Sequence, residues 1–444
     1  MRIKLLFVAI LIFNLSVHSQ NSPEWQRLPN APIKPNGKFE DIFFINEQVG
    51  WTVSRTTSSS GSVFKTTDGG YSWIDQSFDS GLYLRCVGFI DENTGWVGDL
   101  NGNNGDFLYK TTTGGDSWFI DTNVPDTSIL GLCGIYIVND SVVYVCGAFS
   151  NDASMLKTTD KGNSWQYIDL RDYAKGVVDL FFFSPDTGFV VGMDTTGLFA
   201  VVLATYDGGN SWNIKHTSEH AEEWAWKINF PTRQIGYVSL QTFGNDLYFL
   251  KSSDGGNTWE DISFTAFNNF QPSGIGFVSE SKGWQGTHPL FSNGYMMETT
   301  DGGFSWHVNE SAININKFRI LNDTLAYAAG ETIYKYTSKL ISDVYQNPVI
   351  VPEKFNLAQN FPNPFNPITT IMVTIPTKAI TKLEVFNSQG QLVETLINGI
   401  LDPNEYEIRV IAYKWSSGVY FYQLTSDGID GKKFQQTKKM ILLK

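Results

Sequence analysis

Along most of the chain, apolar residues come in short runs, often one in two, broken every few residues by Gly, Asn, Asp, Ser or Thr. "VGWTV" (49–53), "TIYKYTS" (332–338) and "SSGVYFYQL" (416–424) are examples, and no long stretch has helical periodicity. Such alternation between frequent turn residues predicts many short strands. The long apolar run is N-terminal. "MRIKLLFVAILIFNLSVHSQ" has a charged start, an apolar centre and a small-residue exit, the pattern of a signal peptide over 1–19 with cleavage after Ser19. No later run approaches the roughly 20 residues needed to span a bilayer.

The strand pattern repeats. "TTDGGYSW" (66–73) returns as "TTTGGDSW" (111–118), "TTDKGNSW" (158–165), "TYDGGNSW" (205–212), "SSDGGNTW" (252–259) and "TTDGGFSW" (299–306). The closing tryptophans are Trp73, Trp118, Trp165, Trp212, Trp259 and Trp306, separated by 45 and then four times by 47 residues. A second element keeps pace: "VGWTV", "TGWVG" (94–98), "VYVCG" (143–147), "TGFVVG" (187–192), "IGYVS" (235–239), "KGWQG" (282–286) and "LAYAAG" (325–330). There are seven copies of this element and six boxes. The N-terminal "EWQRLP" (24–29) resembles the strands that follow boxes, so Trp25 supplies the seventh closing tryptophan. Four strands in about 45 residues are the dimensions of a propeller blade, and a ring closed by its two ends leaves no exposed sheet edge. The expected fold is all-β: a seven-bladed β-propeller over 20–340, a linker over 341–354, and a small Ig-like β-sandwich over 355–444.

The box invites a catalytic reading, since each copy offers a carboxylate between hydroxyls. Asp68, Asp160, Asp207, Asp254 and Asp301 occupy that position, but the second copy has Thr113 there. Carboxylates spread around a ring cannot line one active site. They are expected to hold their turns, with Gly69 and Gly70 allowing positive φ and the tryptophan packing between sheets. The spacing S/T-x-D-x-G-x-S/T-W resembles the Asp-box of bacterial neuraminidase-type repeats. Its alternation with "GW-V-G" is similar to the photosystem II stability and assembly factor-like propellers. The resemblance implies the fold; Asp-box propellers include sialidases, xyloglucanases, sorting receptors and binding scaffolds.

After the linker come "QNFPNPFNP" (359–367), "VFNSQGQLV" (385–393), "SGVYFY" (417–422) and the terminal "KKMILLK" (438–444). These resemble, in order, the type A C-terminal sorting domain of the type IX (Por) secretion system. The resemblance implies delivery by that machinery across the outer membrane, to the medium or the cell surface. Its carry-over falls on Gly418, Val419, Tyr420, Lys438, Lys439 and Lys444.

Charge is unevenly divided. Residues 21–346 carry 20 Lys and Arg against 37 Asp and Glu, a net −17, while residues 347–444 carry 10 against 8. Phosphate binding relies on clustered Lys and Arg, so an acidic propeller argues against nucleic acid. Of the three cysteines, Cys133 and Cys146 would face each other across a two-residue turn at Asn139-Asp140, close enough for a disulfide, and would fall out of register with a longer one. Comparison with the other repeats favours the longer turn.

Chemistry specific to one place must come from loops that do not repeat. "KHTSEHAEEWAWK" (215–227) gathers His216, His220, Glu219, Glu222, Glu223, Trp224 and Trp226, and neighbouring loops could add Phe243 and His288. As a site this is a carbohydrate- or peptide-binding face with aromatic platforms and acidic acceptors. Trp224, Trp226, Ile228 and Phe230 also alternate, as one buried face of a strand would. No metal site is expected, because no helix or second shell accompanies the histidines. There is no Gly-x-Ser-x-Gly, His-Glu-x-x-His or phosphate-binding glycine loop, and no cofactor is implied. The expectation is an exported binding module for a polysaccharide or surface protein. The alternative is a secreted, sialidase- or xyloglucanase-like glycoside hydrolase with its carboxylates in blade loops.

Overall fold

The computed structural model describes residues 22–443 apart from 35–36, 56–60, 79–80, 104–105, 126–130, 148–152, 243–246, 265–269, 290–293, 340, 342–343, 347–353, 402, 413 and 429–430. The signal segment, Phe243 and Lys444 therefore lie outside the described residues, as does the His288 side chain.

Seven four-stranded antiparallel sheets form the larger part. Blade 1 runs Asp41–Phe44, Gly50–Ser54, Ser62–Thr66, Ile74–Asp75, and blade 5 runs Glu223–Asn229, Gly236–Thr242, Leu247–Ser252, Glu260–Phe264. In blade 7 the strands Lys317–Asn322, Leu325–Ala329 and Ile333–Thr337 are completed by Glu24–Arg27, with Trp25 opposite Tyr336. The innermost strands neighbour one another in cyclic order, that of blade 7 meeting that of blade 1, so the ring is closed. The fold is the expected β-propeller.

The repeated motifs explain what joins the blades. In four blades the aromatic residue of the "GW" element lies flat against an aromatic residue of the next inner strand: Trp51 on Phe89 and Tyr327 on Phe44 at 3.5 Å, Tyr237 on Phe277 at 3.6 Å, Tyr144 on Phe182 at 3.8 Å. Stacked rings supply much of the apolar burial between sheets.

Each box closes on itself. Asp68 Oδ1 accepts from Ser72 N (2.9 Å) and Thr66 Oγ1 (2.8 Å), and Asp68 Oδ2 accepts from Ser72 Oγ. Gly69 and Gly70 have φ of 74° and 93°, the left-handed region that glycine enters without strain. Each box also reaches the neighbouring blade, since Gly69 O accepts from both Lys335 Nζ (3.0 Å) and Tyr327 OH (3.2 Å). Gly302 O is held in the same way by Lys251 and Tyr237.

The C-terminal part is two four-stranded sheets, one containing Ile368–Ile375 and Asn404–Ile411, the other Ala379–Asn387, Gly418–Gly428 and Lys433–Leu442. Their inward faces share Ile371, Val373, Leu383, Tyr406, Tyr422 and Met440, all at 1% exposure or less. "QNFPNPFNP" ties this core to the final strand: Gln359 Nε2 donates to Lys439 O, and Asn363 Oδ1 accepts from Ile441 N. Val344–Gln346 pairs with Asn404–Ile411 at the edge of the first sheet.

Candidate functional site

A propeller has two unlike ends. The tight hairpins and the boxes lie at one, here the box face; the blade-to-blade connections and the longer second-to-third strand loops lie at the other, the entry face. On the box face the repeated carboxylates are saturated. Asp160 and Asp301 are held down to about 2, foremost by the hydroxyl and N–H of Ser164 and Ser305 respectively. In blade 2, Thr113 Oγ1 takes over the role, accepting from Ser117 N at 3.0 Å.

The entry face between blades 4 and 5 is different. The connection from Asn213–Thr217 to Glu223–Asn229 turns at Glu222, which has a φ of 65° and donates its N–H to Leu198 O at 2.7 Å. This turn delivers Glu223 to the first position of the inner strand, opposite Thr242, where it is 1% exposed. Neither Glu223 carboxylate oxygen has a hydrogen-bond partner among the described residues. Burial pushes its pKa up to about 7; Asp261 adds to the rise, while Ser218 and His216 oppose it. The Ser218 hydroxyl itself donates to His220 O at 3.2 Å.

Asp261, on the outer strand of blade 5, gathers the histidines. His216 Nε2 hydrogen-bonds its Oδ1, Glu219 N donates to its Oδ2 at 3.2 Å, and His220 Nε2 stands 4.0 Å from Oδ2. Burial opposes the Asp261 charge, but the His216 hydrogen bond, the Glu219 N–H and both imidazoles together hold its pKa below the usual range. His220 stacks on Tyr248, ring centroids 3.9 Å apart. The result is two carboxylates in opposite states near neutral pH: one ionised and engaged, the other unpartnered and half protonated. Among the described residues no three His, Cys, Asp or Glu groups gather as metal ligands.

Of the residues singled out in the sequence, His216 and His220 enter this cluster. Glu222 is exposed at its turn, and the half-buried Trp224 packs against the axial group of Cys133, Val178 and Trp226. Trp226 is elsewhere. The strand register shifts between Ala225 and Lys227, so Trp226 is the extra residue of a β-bulge. The bulge breaks the alternation from Trp224 to Phe230: Ile228 and Phe230 face the blade-4 interface, whereas Trp226 turns to the propeller axis.

Glu223 was one of three acids gathered in that loop, with nothing to set it apart from Glu219 and Glu222, and Asp261 and Tyr248 were not singled out. Nothing in the spacing distinguishes them; only the fold brings residues 216, 223, 248 and 261 to one spot.

The same bulge recurs at Arg85, Cys133 and Val178, and the corresponding positions in blades 1 and 7 are Glu40 and Asn316. These side chains meet around Trp226. It packs on Cys133 and Val178, donates from Nε1 to Asn316 Oδ1 (3.3 Å), and lies under Arg85. Arg85 in turn pairs with Glu40 at 3.7 Å. This layer fills the channel. Cys146 pairs with Gly134, Cys133 points to the axis, and all three cysteines are free and buried, so the longer turn and its register hold.

Known proteins resemble the chain in two separate parts. Residues 56–199 and 158–268 match the family model "Photosynthesis system II assembly factor YCF48", and residues 359–442 match "Secretion system C-terminal sorting domain". The chain ends in a type IX sorting domain. That domain directs it to the cell surface or into the medium. Its Gly418, Val419 and Tyr420 begin the strand that pairs with the last one, Tyr420 opposite Met440, while Lys438 and Lys439 lie on that last strand.

The propeller is YCF48-like. A solved YCF48 bound to D1 peptide superposes with a TM-score of 0.51 at 18% identity, over 72% of this chain and 98% of that one. YCF48 from Cyanidioschyzon merolae gives 0.53 at 16%, over 71% and 99%. The extracellular domain of the hybrid two component system BT4673 from B. thetaiotaomicron gives 0.50 at 10%, over 96% and 60%. Among curated proteins none matches the sequence. No helix among the described residues is long and apolar enough to cross a membrane.

Proposed function

We propose that this chain is an exported binding module whose entry face, between blades 4 and 5, takes a polymer at or beyond the cell surface. One observation carries this reading: Glu223 is the carboxylate at that face left buried and without a partner, beside Asp261 and the His220–Tyr248 ring pair, while the box carboxylates are all saturated. A buried acceptor with no donor is costly, and a ligand supplying N–H or O–H groups would relieve it. A polypeptide is favoured over a polysaccharide. Sugar binding leans on open aromatic platforms, and here Trp226 is buried and Trp224 half-buried. A related propeller solved with a peptide supports the same preference.

A second reading, glycoside hydrolysis, is favoured by the split between Glu223 and Asp261, since separated pKa values are what an acid and its ionised partner need.

The test incubates the exported chain with immobilised peptide and polysaccharide panels, following retention and the release of reducing ends. Retention weakened at least about tenfold by Glu223→Gln, with no release, supports the binding module. Retention indifferent to that change sinks the site. Reducing ends that disappear in Glu223→Gln would establish the hydrolase instead.

A further inference from the structure

Three motifs of the sorting domain, "VFNSQGQLV", "SGVYFY" and "KKMILLK", lie on one sheet, whose strands run in the order Leu392–Leu401, Ala379–Asn387, Gly418–Gly428, Lys433–Leu442. Successive residues of a strand point to opposite faces. The inward half of these motifs is accounted for by packing, since Val385, Tyr422, Met440 and Leu442 belong to the sandwich core. The other face of such a sheet is usually polar. Here it is apolar as well. Leu392, Val419 and Phe421 are 54%, 39% and 36% exposed, and Phe386 and Ile441 are partly exposed.

Strand register brings these side chains together. Phe386 stands opposite Leu392 on one side and Phe421 on the other, Phe421 opposite Lys439, and Val419 opposite Ile441. Directly opposed side chains are about 5 Å apart at Cβ. Leu392, Phe386, Phe421 and the exposed Lys439 therefore form one row across all four strands, with Val419 and Ile441 beside it. Contiguous apolar surface of this kind marks a contact with another macromolecule. Of the residues expected to carry the sorting signal, Val419 and Lys439 lie on this face. Tyr420 is buried beneath it, and Lys438 stands opposite the inward Tyr422.

We propose that this face docks on a protein component of the type IX machinery, one that presents an apolar surface and a carboxylate for Lys439. The occupant follows from the domain that carries the face. The sorting domain directs the chain to the surface or the medium, so a partner must hold it, and the outward rows are built from the motifs that identify it. The proposal does not rest on the reading given for the entry face.

Export of the full chain from a bacterium with a type IX system tests it, followed as the ratio of chain outside the cells to chain inside. Val419→Thr combined with Phe421→Thr keeps β-branched strand formers at both positions. It is expected to lower the ratio at least about tenfold, while the purified chain melts as wild type does. Lys439→Glu, which alters only an exposed side chain, should lower the ratio too, and it decides the matter if the double variant does not fold. Ile380→Thr is the control: Ile380 is 64% exposed at the far end of the same sheet, and its variant should export normally. The proposal is overturned if either face variant, folded, exports as wild type, or if Ile380→Thr fails to the same degree. Wild type that dimerises, with a double variant that is monomeric yet exported, would make a second copy the occupant and overturn it as well.

Discussion

Arg85 of blade 2 and Trp226 of blade 5 meet on the propeller axis, the guanidinium carbon 5.0 Å from the indole centroid. Both are bulge residues, and the bulge is what turns a side chain out of the blade interface and into the channel. The guanidinium is also one of the two cations beside Glu40; the other is Lys38, 3.8 Å away. Although burial opposes it, Lys38 and Arg85 keep the Glu40 carboxyl below its usual range. Arg85→Met should therefore destabilise the chain by about 3–5 kcal/mol, the usual effect of stranding a buried charge. Adding Glu40→Gln should restore part of that loss in urea unfolding. A double variant as unstable as the two single changes summed would refute the coupling.

The boxes give a graded test. Removing the Asp160 carboxylate loses its bonds to Ser164 and Thr158, whereas threonine at that position keeps the main-chain bond, as Thr113 does in blade 2. Asp160→Ala should cost about 1 kcal/mol, on the scale of a lost helix cap, and Asp160→Thr less. Because the folded pKa of about 2 lies below the unfolded value, this stabilisation is complete above about pH 4 and fades as pH falls toward 2. The gap in melting temperature between wild type and Asp160→Ala should close over that window.

Glu223 predicts the opposite slope. Its folded pKa, about 7, is raised above the unfolded value near 4, so folding favours the protonated form. Its cost is absent at pH 4, grows as pH rises toward 7, and is constant beyond. Glu223→Gln should match wild type in melting temperature at pH 4 and exceed it by one to a few degrees, roughly, at pH 8. Equal melting temperatures at both pH values would show that the carboxylate is solvated.

Cys86, Cys133 and Cys146 are each at 1% exposure or less, and burial pushes all three thiols up. A thiolate-directed reagent should label none of them in the folded chain and all three after denaturation. Labelling before unfolding would place a cysteine at the surface.

The sequence carried the scaffold because the scaffold is periodic. Trp73 to Trp306 mark blades, and the match of "EWQRLP" to post-box strands pointed to closure before any pairing was seen. The aperiodic parts were hidden for the same reason. A one-residue bulge leaves no mark on an alternating pattern, so Trp226 could not be told from Ile228 and Phe230, which face another way. Glu223 looked like one of three clustered acids; only its position opposite Thr242 shows that it, not Glu219 or Glu222, is buried. Asp261 follows a box as an ordinary strand residue, and its two histidines come from the blade before.

Closure by the N-terminal strand yields the last prediction. Trp25 is 4% exposed and sits among Trp284, Phe318 and Tyr336 at 5.2, 5.6 and 5.4 Å. Gln26 fastens the same strand, donating to Lys339 O at 3.0 Å and accepting from Ile341 N. Trp25→Ala should cost about 3–5 kcal/mol, as for other buried aromatics. Deleting residues 22–28 should do something different in kind. It bares the edge of Ile333–Thr337, whose unpaired main chain can pair with another molecule. The deleted chain should run as dimers or larger species in size-exclusion chromatography at concentrations where Trp25→Ala remains monomeric. A monomeric deletion with unchanged melting would mean that the ring closes without its N-terminal strand.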